Sequence, residues 1–179
     1  MREVADSDRI RGFMRSLAEA AEATARVYFT GGSTAVLIGW RSSTIDVDIK
    51  IVPEHDHLLR AIPRIKESLH INIELACPAD FIPVPPGWED RSPFVGSEGR
   101  LSYHHFDLYA QVLAKIERGH TQDLTDVQEF LRRGLVEPAR GWQYFRAIET
   151  DLYRFPAVDP QTFRRAVAEA FGQPDAARN

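Results

Sequence analysis

The sequence predicts an α/β fold, in which a mixed β-sheet core carries helices on its face and a helical C-terminal extension follows. Three observations predict it. A short β-prone run at residues 27–29 leads through a Gly-Gly turn into an apolar, helix-compatible run at residues 35–38. A second strand pattern follows at residues 45–51, where β-branched and charged residues alternate. From residue 107 onward, the spacing of apolar residues is helical.

A chain of 179 residues, of which 44% are hydrophobic, is long and apolar enough for one folded domain. We expect an α/β core at residues 1–106 and a helical part at residues 107–179, packed on the core as one compact unit.

Further elements follow from periodicity and from helix start and stop signals. The predicted helices cover residues 6–24, 57–68, 107–118 and 121–131, and one more begins at Asp159-Pro160 and ends at Gly172. The buried stripe of the helix at residues 121–131 is predicted to consist of Leu124, Val127, Phe130 and Leu131. We expect Pro63 to kink or to begin its helix, because proline cannot donate an internal hydrogen bond. Residues 69–75 form a strand, residues 94–106 a hairpin and residues 78–93 an ordered loop. The last six residues are predicted to be disordered.

The strand at residues 45–51 contains the first candidate site. Asp46 and Asp48 alternate with β-branched residues, so both point to one face and lie roughly 6.5–7 Å apart along the strand. A divalent cation relieves the repulsion of such a pair, and Mg²⁺ (or Mn²⁺) suits it, because Mg²⁺ takes one or two carboxylates and completes its shell with water and phosphate. The alternative is a half-exposed strand with a polar outer face.

The glycine turn that precedes this strand contains the second candidate site. Gly31 and Gly32 permit positive φ and a close approach of the backbone to a ligand. Ser33 can cap the following helix and offer its hydroxyl to a phosphate oxygen. Any tight strand-to-helix connection could use such a turn. Together with the acidic pair, however, it indicates a triphosphate cradle beside a divalent-metal site.

A third carboxylate is expected on a neighbouring strand. Asn72 and Glu74 share one face of the predicted strand at residues 69–75, and Glu74 is the candidate general base or third metal contact. Asp80 and Asp107 are the weaker alternatives.

The glycine turn and the residues that follow it resemble the signature of the DNA-polymerase-β-like nucleotidyltransferase superfamily, and within it that of the AbiEii-type nucleotidyltransferases and their small uncharacterised relatives. A second segment is similar to the Lys…Arg…Lys-Asp…Asp helical motif of that family, although Gln122 stands where a second lysine is usual. The resemblance covers roughly residues 27–130. The residues that carry it are Gly31, Gly32, Ser33, Arg41, Thr44, Asp46, Asp48, Lys115, Arg118, Asp123 and Asp126.

The resemblance implies a Mg²⁺-dependent enzyme that moves a nucleoside monophosphate from an NTP to an acceptor hydroxyl. It implies that Asp46 and Asp48 hold the metal, and that Lys115 contacts nucleotide phosphate. Asp123 would hold Lys115 or a substrate hydroxyl in place. Arg41 and Thr44 would steady the phosphates or the loop.

The resemblance favours RNA as the acceptor, especially a tRNA 3′ end, with a protein hydroxyl or an aminoglycoside-like small molecule as the alternatives. It also implies a toxin role, with an antitoxin protein as partner. The alternative is a catalytically inactive protein of the same fold that binds nucleotide or a partner. The sequence leaves open which NTP is used and which oligomeric state the protein adopts.

The composition of the chain limits which other classes of protein it can belong to. A net charge of −4 argues against unspecific nucleic-acid binding by the whole protein. In the C-terminal third, however, arginines alternate with aromatic residues. This pattern indicates either an RNA-binding face or solvated arginines over an aromatic core. No apolar run is long enough to span a membrane. A charged N-terminus unlike a signal peptide and a single cysteine, Cys77, lead us to expect a cytoplasmic protein.

Overall fold

The computed structural model describes residues 3–173, so the predicted disorder of the last six residues concerns residues outside that range. The described chain divides into two compact units. The first contains the chain up to Cys77 together with Ser92–Phe106, and the second contains Pro78–Arg91 and the chain from Asp107 onward. The second unit therefore includes both the helical part and the proline-rich segment that precedes Ser92.

The first unit is built around a mixed β-sheet, which confirms the predicted α/β class. The strands of residues 3–173 are β1 (Ala5–Asp6), β2 (Ala25–Thr30), β3 (Ser43–Thr44), β4 (Asp46–Val52), β5 (Asn72–Leu75), β6 (Phe94–Glu98) and β7 (Leu101–His105). Five of them form a sheet in the order β5-β4-β2-β7-β6, and β1 pairs with β3. The β2 strand is antiparallel to β4 and parallel to β7, while β5 is parallel to β4 and β6 is antiparallel to β7.

Three helices accompany this sheet, namely α1 (Ser7–Glu19), α2 (Gly32–Ile38) and α3 (Asp56–Leu69). The side chain of Asp6 caps α1 by accepting a hydrogen bond from the Arg9 N–H at 2.9 Å. Helix α1 ends before the predicted limit at residue 24. Pro63 lies inside α3 and does not begin it.

The apolar core of the first unit lies between one face of the sheet and these helices. Buried residues from α1, α3 and alternate positions of the strands form one cluster, which includes Phe13, Leu17, Val27, Phe29, Ile49, Ile62, Ile65 and Ile73. Because strand side chains alternate, the residues between these positions occupy the other face of the sheet. That second face contains the candidate active site.

The second unit is helical, as predicted for the C-terminal part. Its helices are α4 (Trp88–Arg91), α5 (Leu108–Arg118), α6 (Thr121–Arg132), α7 (Pro138–Glu149) and α8 (Pro160–Phe171), with 3₁₀ turns at Pro78–Asp80 and Leu152–Arg154. Helix α5 packs against α6 and α8, and α7 packs against α8. The predicted limits of α8 are confirmed: Asp159 caps its first turn and Gly172 follows its end. The segment predicted as a loop contains α4.

Candidate active site

Strand β4 presents the acidic pair on the face of the sheet opposite the apolar core. Val47 and Ile49 are buried, whereas Asp46 and Asp48 are half-buried. This alternation confirms that the two aspartates share one face of the strand. Their partial exposure leaves both carboxylates reachable from solvent.

The glycine turn lies directly against this acidic face. Gly31 has a φ of +63°, and a Cβ atom added to it would stand 2.9 Å from Oδ2 of Asp48. A Cβ atom on Gly32 would overlap Oγ1 of Thr44 and stand 2.7 Å from its Cβ atom. Gly31 lies next to Asp48 because Thr30, the residue before the turn, pairs with Asp48 in the antiparallel register of β2 and β4. The structure thus brings together two features that lie apart in the sequence.

Ser33 is fully buried in this turn, and among the described residues its hydroxyl has no hydrogen-bond partner. The expectation that Ser33 caps the helix is wrong, because α2 begins at Gly32 with Gly31 as its N-cap, so Ser33 lies within the first turn. A buried hydroxyl without a partner costs free energy. A phosphate oxygen is a suitable acceptor for it.

Thr44 and Arg41 complete the surroundings of the turn. Buried Thr44 donates a hydrogen bond from Oγ1 to the carbonyl oxygen of Asp46 at 3.0 Å. Nη1 of Arg41 lies 3.3 Å from the position of a Cβ atom on Gly32. Thr44 therefore fixes the backbone that enters β4, and Arg41 places a positive charge beside the glycines.

Strand β5 adds a third carboxylate next to the acidic pair. In the parallel register of β4 and β5, Asn72 is paired with Asp46 and Glu74 with Asp48. The amide nitrogen of Asn72 donates to Oδ1 of Asp46 at 2.7 Å and to Oε1 of Glu74 at 2.9 Å. Sequence reasoning placed Asn72 on the same face as Glu74 but gave it no role. The contact with Asp46 depends on strand pairing, and no local signal encodes it.

The other two candidates for the third carboxylate belong to the second unit. Asp107 is fully buried and accepts hydrogen bonds from Arg91 at 2.7 Å and from the Tyr109 N–H at 3.2 Å. It is therefore engaged in capping α5. Asp80 is exposed in a 3₁₀ turn. Glu74 remains the candidate that β5 places beside the acidic pair.

The residues of this site fit a divalent cation bound together with a triphosphate. Within residues 3–173, no three His, Cys, Asp or Glu side chains converge on a possible metal position. Asp46 and Asp48 nevertheless supply the one or two carboxylates that Mg²⁺ takes when phosphate and water fill its remaining positions. The turn at Gly31, which lies against the Asp48 carboxylate, and the Ser33 hydroxyl, which has no partner among the described residues, suit the phosphates.

Lys115 is enclosed in an ion-pair cluster of the second unit. Its Nζ atom lies 2.8 Å from Oδ2 of Asp126 and 3.3 Å from Oδ1 of Asp123, and all three residues are buried. Arg118 donates two further hydrogen bonds to Asp123, at 2.7 and 2.6 Å. Burial alone would raise the pKa of Asp123, but the hydrogen bond from Arg118 and the charges of Lys115 and Arg118 outweigh it and lower that pKa.

This cluster also decides which side of α6 is buried. Leu124, predicted to belong to the buried stripe, is 46% exposed, whereas Asp123 and Asp126 face inward. The prediction was wrong because it used apolar spacing alone, while Lys115 on α5 compensates the buried charges. Gln122, which replaces the usual lysine of the related motif, has Nε2 at 3.5 Å from Oδ1 of Asp126.

A family model described as a nucleotidyltransferase of unknown function (DUF6036) matches residues 8–139. The chain belongs to this family. The DUF6036 match includes the glycine turn, the acidic pair, Glu74 and the cluster around Lys115. It supports membership of a nucleotidyltransferase family and does not single out the AbiEii type. No curated protein and no solved structure matches the chain at a significant level.

None of the helices in residues 3–173 has the length and apolar character that a membrane span requires.

Proposed function

We propose that this protein is a Mg²⁺-dependent nucleotidyltransferase that moves a nucleoside monophosphate from an NTP to an acceptor hydroxyl, with Mn²⁺ as the alternative ion. The observation that carries the proposal is the closeness of the glycine turn to Asp48, whose Oδ2 lies 2.9 Å from the point where a Cβ atom on Gly31 would stand. A phosphate-binding turn and a metal-binding carboxylate must be neighbours, because a cation held by the carboxylate would neutralise charge on the phosphates that the turn holds.

The glycine turn binds the outer phosphates. Gly31 and Gly32 let the turn lie directly against Asp48 and Thr44, because Oδ2 of Asp48 and Oγ1 of Thr44 occupy the places where their side chains would stand, and the backbone of the turn then faces the phosphates. The Ser33 hydroxyl donates to a phosphate oxygen. Arg41, beside Gly32, contributes positive charge to the same phosphates.

The three carboxylates have different roles in the chemical step. Asp46 and Asp48 would hold the cation, which when bound neutralises charge on the α-phosphate and on the departing pyrophosphate. Glu74 is exposed beside Asp48 and takes the proton of the acceptor hydroxyl. The acceptor oxygen then forms its bond to the α-phosphorus while the bond to pyrophosphate breaks.

RNA, in particular a tRNA 3′ end, is our favoured acceptor, and a toxin function with a partner antitoxin is part of the same proposal. Both rest on the likeness of the motifs to the AbiEii type. Of the C-terminal arginines, Arg132 and Arg133 bind Glu129, and Arg164 binds Glu149. These pairs favour solvated arginines over an RNA-binding face at those positions.

Asp46→Asn and Asp48→Asn test the proposed activity, because each removes charge while keeping size. We expect transfer of label from α-³²P-labelled NTPs to total RNA to fall at least a thousandfold, with unchanged thermal midpoints. Asp56→Asn is the matched control, since Asp56 is exposed on α3 and contacts only Arg60 among the ion pairs of the described residues. Full activity in both site variants would refute the proposed site. If the label appears in protein or in small molecules and not in RNA, those molecules are the acceptor.

The burial of Lys115 favours a second candidate function, in which the protein binds nucleotide or a partner without catalysis. Its ammonium group is already engaged by Asp123 and Asp126, although the related motif implies a contact with nucleotide phosphate. Calorimetry with NTP and Mg²⁺ separates the candidates when combined with the labelling assay. Binding without transfer to any acceptor would favour this second function.

A further inference from the structure

Asn72 joins two of the three carboxylates of the candidate site. One amide nitrogen donates to Oδ1 of Asp46 at 2.7 Å and to Oε1 of Glu74 at 2.9 Å. An amide group carries two N–H donors in one plane, so a single side chain satisfies one oxygen of each carboxylate. The parallel register of β4 and β5 creates this arrangement, because it pairs Asn72 with Asp46 and Glu74 with Asp48.

An uncharged hydrogen-bond donor suits this position between the two carboxylates better than a charged one. Lysine or arginine would also hold the two carboxylates, but its positive charge would repel the cation that the site is built to bind. An amide orients both carboxylates while leaving their negative charges in place. Because its hydrogen bonds engage Oδ1 of Asp46 and Oε1 of Glu74, Asn72 leaves Oδ2 and Oε2 for the cation and the acceptor.

We propose that Asn72 is a positioning residue that sets the orientation of Asp46 toward the cation and of Glu74 toward the acceptor hydroxyl. This inference rests on the proposed function. Asn72 itself touches neither substrate nor metal in this proposal, and it acts through the two carboxylates. Residues that orient metal ligands in this way commonly change metal affinity or activity 10- to 100-fold when they are removed.

The test measures Mn²⁺ binding by electron paramagnetic resonance in the absence of nucleotide, so that it does not depend on turnover. We expect Asn72→Ala to raise the Kd for Mn²⁺ at least about tenfold. We expect Asn72→Thr, which suits a strand and keeps one hydroxyl donor, to raise it less. Ser68→Ala is the control. Ser68 donates to the carbonyl oxygen of Ile65 on α3, so the Kd of this variant for Mn²⁺ should equal that of the wild type.

A double-mutant cycle with Asp46→Asn separates positioning from general loosening of the fold. If Asn72 acts through Asp46, Asn72→Ala changes the Kd little once Asp46 is already replaced. Urea midpoints establish that each variant is folded, and Asn72→Thr replaces Asn72→Ala in the cycle if the alanine variant does not fold. Wild-type Mn²⁺ affinity in both Asn72 variants would overturn this inference alone. A wild-type protein that binds no Mn²⁺, either alone or with a non-hydrolysable NTP analogue, would overturn the proposed function together with it.

Discussion

Oδ2 of Asp48 lies 2.9 Å from the point where a Cβ atom on Gly31 would stand. Gly31 also has a φ of +63°, a conformation that residues with a side chain rarely adopt. Glycine is therefore required at this position for two independent reasons, its conformation and the space that the carboxylate needs. This one contact joins the turn after β2 to the acidic face of β4.

Gly31→Ala should reduce both stability and metal binding. Positive φ costs an alanine residue about 1–2 kcal/mol, and the new methyl group must displace the carboxylate of Asp48. We expect the free energy of unfolding to fall by about that amount in urea titrations, and the affinity for Mn²⁺ to fall with it.

The matched control is Gly12→Ala in α1. A Cβ atom on Gly12 would make an ordinary contact, 3.7 Å from Cδ2 of Leu69. Alanine is the better helix former, so this variant should gain about 0.5–1 kcal/mol and bind Mn²⁺ as the wild type does. The importance of the Gly31 contact would be disproved by a Gly31→Ala protein that matches the wild type in both measurements.

Ser33→Ala should separate stability from binding. The variant loses a buried hydroxyl that has no partner among the described residues, so the nucleotide-free protein should become about 1 kcal/mol more stable. Affinity for NTP in the presence of Mg²⁺ should fall about tenfold, because a hydrogen bond to a charged phosphate is lost. Urea titration and calorimetry measure the two effects.

Ser68→Ala gives the opposite pattern and serves as the control for Ser33→Ala. Ser68 donates to the carbonyl oxygen of Ile65 at 3.1 Å, so its replacement should lower stability by about 0.5–1 kcal/mol and leave NTP affinity unchanged. Reduced stability of Ser33→Ala without any loss of NTP affinity would mean that Ser33 serves packing and not phosphate binding.

Lys115→Met should strongly destabilise the second unit. It removes the ammonium group from buried Asp126 and leaves Asp123 with Arg118 as its cation, and breaking a buried ion pair typically costs about 3–5 kcal/mol. Arg164→Met is the comparison, because it removes an exposed pair with Glu149 and should cost about 1 kcal/mol or less. Urea titration of both variants provides the measurement. If Lys115→Met kept wild-type stability but lost NTP affinity, Lys115 would be assigned to phosphate binding.

His105 should make stability depend on pH. Thr34 donates from Oγ1 to the carbonyl oxygen of Phe29 at 3.3 Å, so it accepts the hydrogen bond from Nδ1 of His105 at 3.1 Å. Burial lowers the pKa of His105 to about 4, and the nearby His104 adds to that effect. Between pH 6.5 and about 4, the unfolded chain binds a proton that the folded protein does not bind.

Stability should therefore fall as the pH decreases through that window, by up to about 3 kcal/mol from this group. Urea midpoints at pH 7 and pH 4.5 measure the loss, and His105→Phe should remove the part that His105 contributes. NMR titration of the imidazole gives a direct check. A His105 ring that titrates near pH 6.5 in the folded protein would contradict the prediction.

Local patterns predicted most of the elements. Alternation gave β4, helical spacing gave α5, and the Asp159-Pro160 start with Gly172 as the stop gave α8. Errors arose where a distant part of the chain outweighs a local signal. The helix predicted at residues 57–68 is confirmed as α3, and of the two alternatives for Pro63 only the one in which it begins the helix is wrong.

The site was predictable to a similar degree. Asp46 and Asp48 share a face in any strand of this sequence, since alternation is a property of a single strand. Leu124 shows the limit of such reasoning: its spacing fits a buried stripe, yet Asp123 is buried instead because Lys115 on another helix pairs with it. Asn72 shows the same limit, because its two hydrogen bonds require the register between β4 and β5.

By itself, the sequence determined the residue types available for chemistry and the faces on which they lie within each strand or helix, because these depend on backbone geometry over a few residues. Only the tertiary structure decided that Gly31 touches Asp48, that Asn72 bridges Asp46 and Glu74, and that Lys115 is enclosed by two aspartates. Each of these contacts depends on which strands and helices become neighbours and in which register. Those choices are made by burial and pairing over the whole unit, and no single segment encodes them.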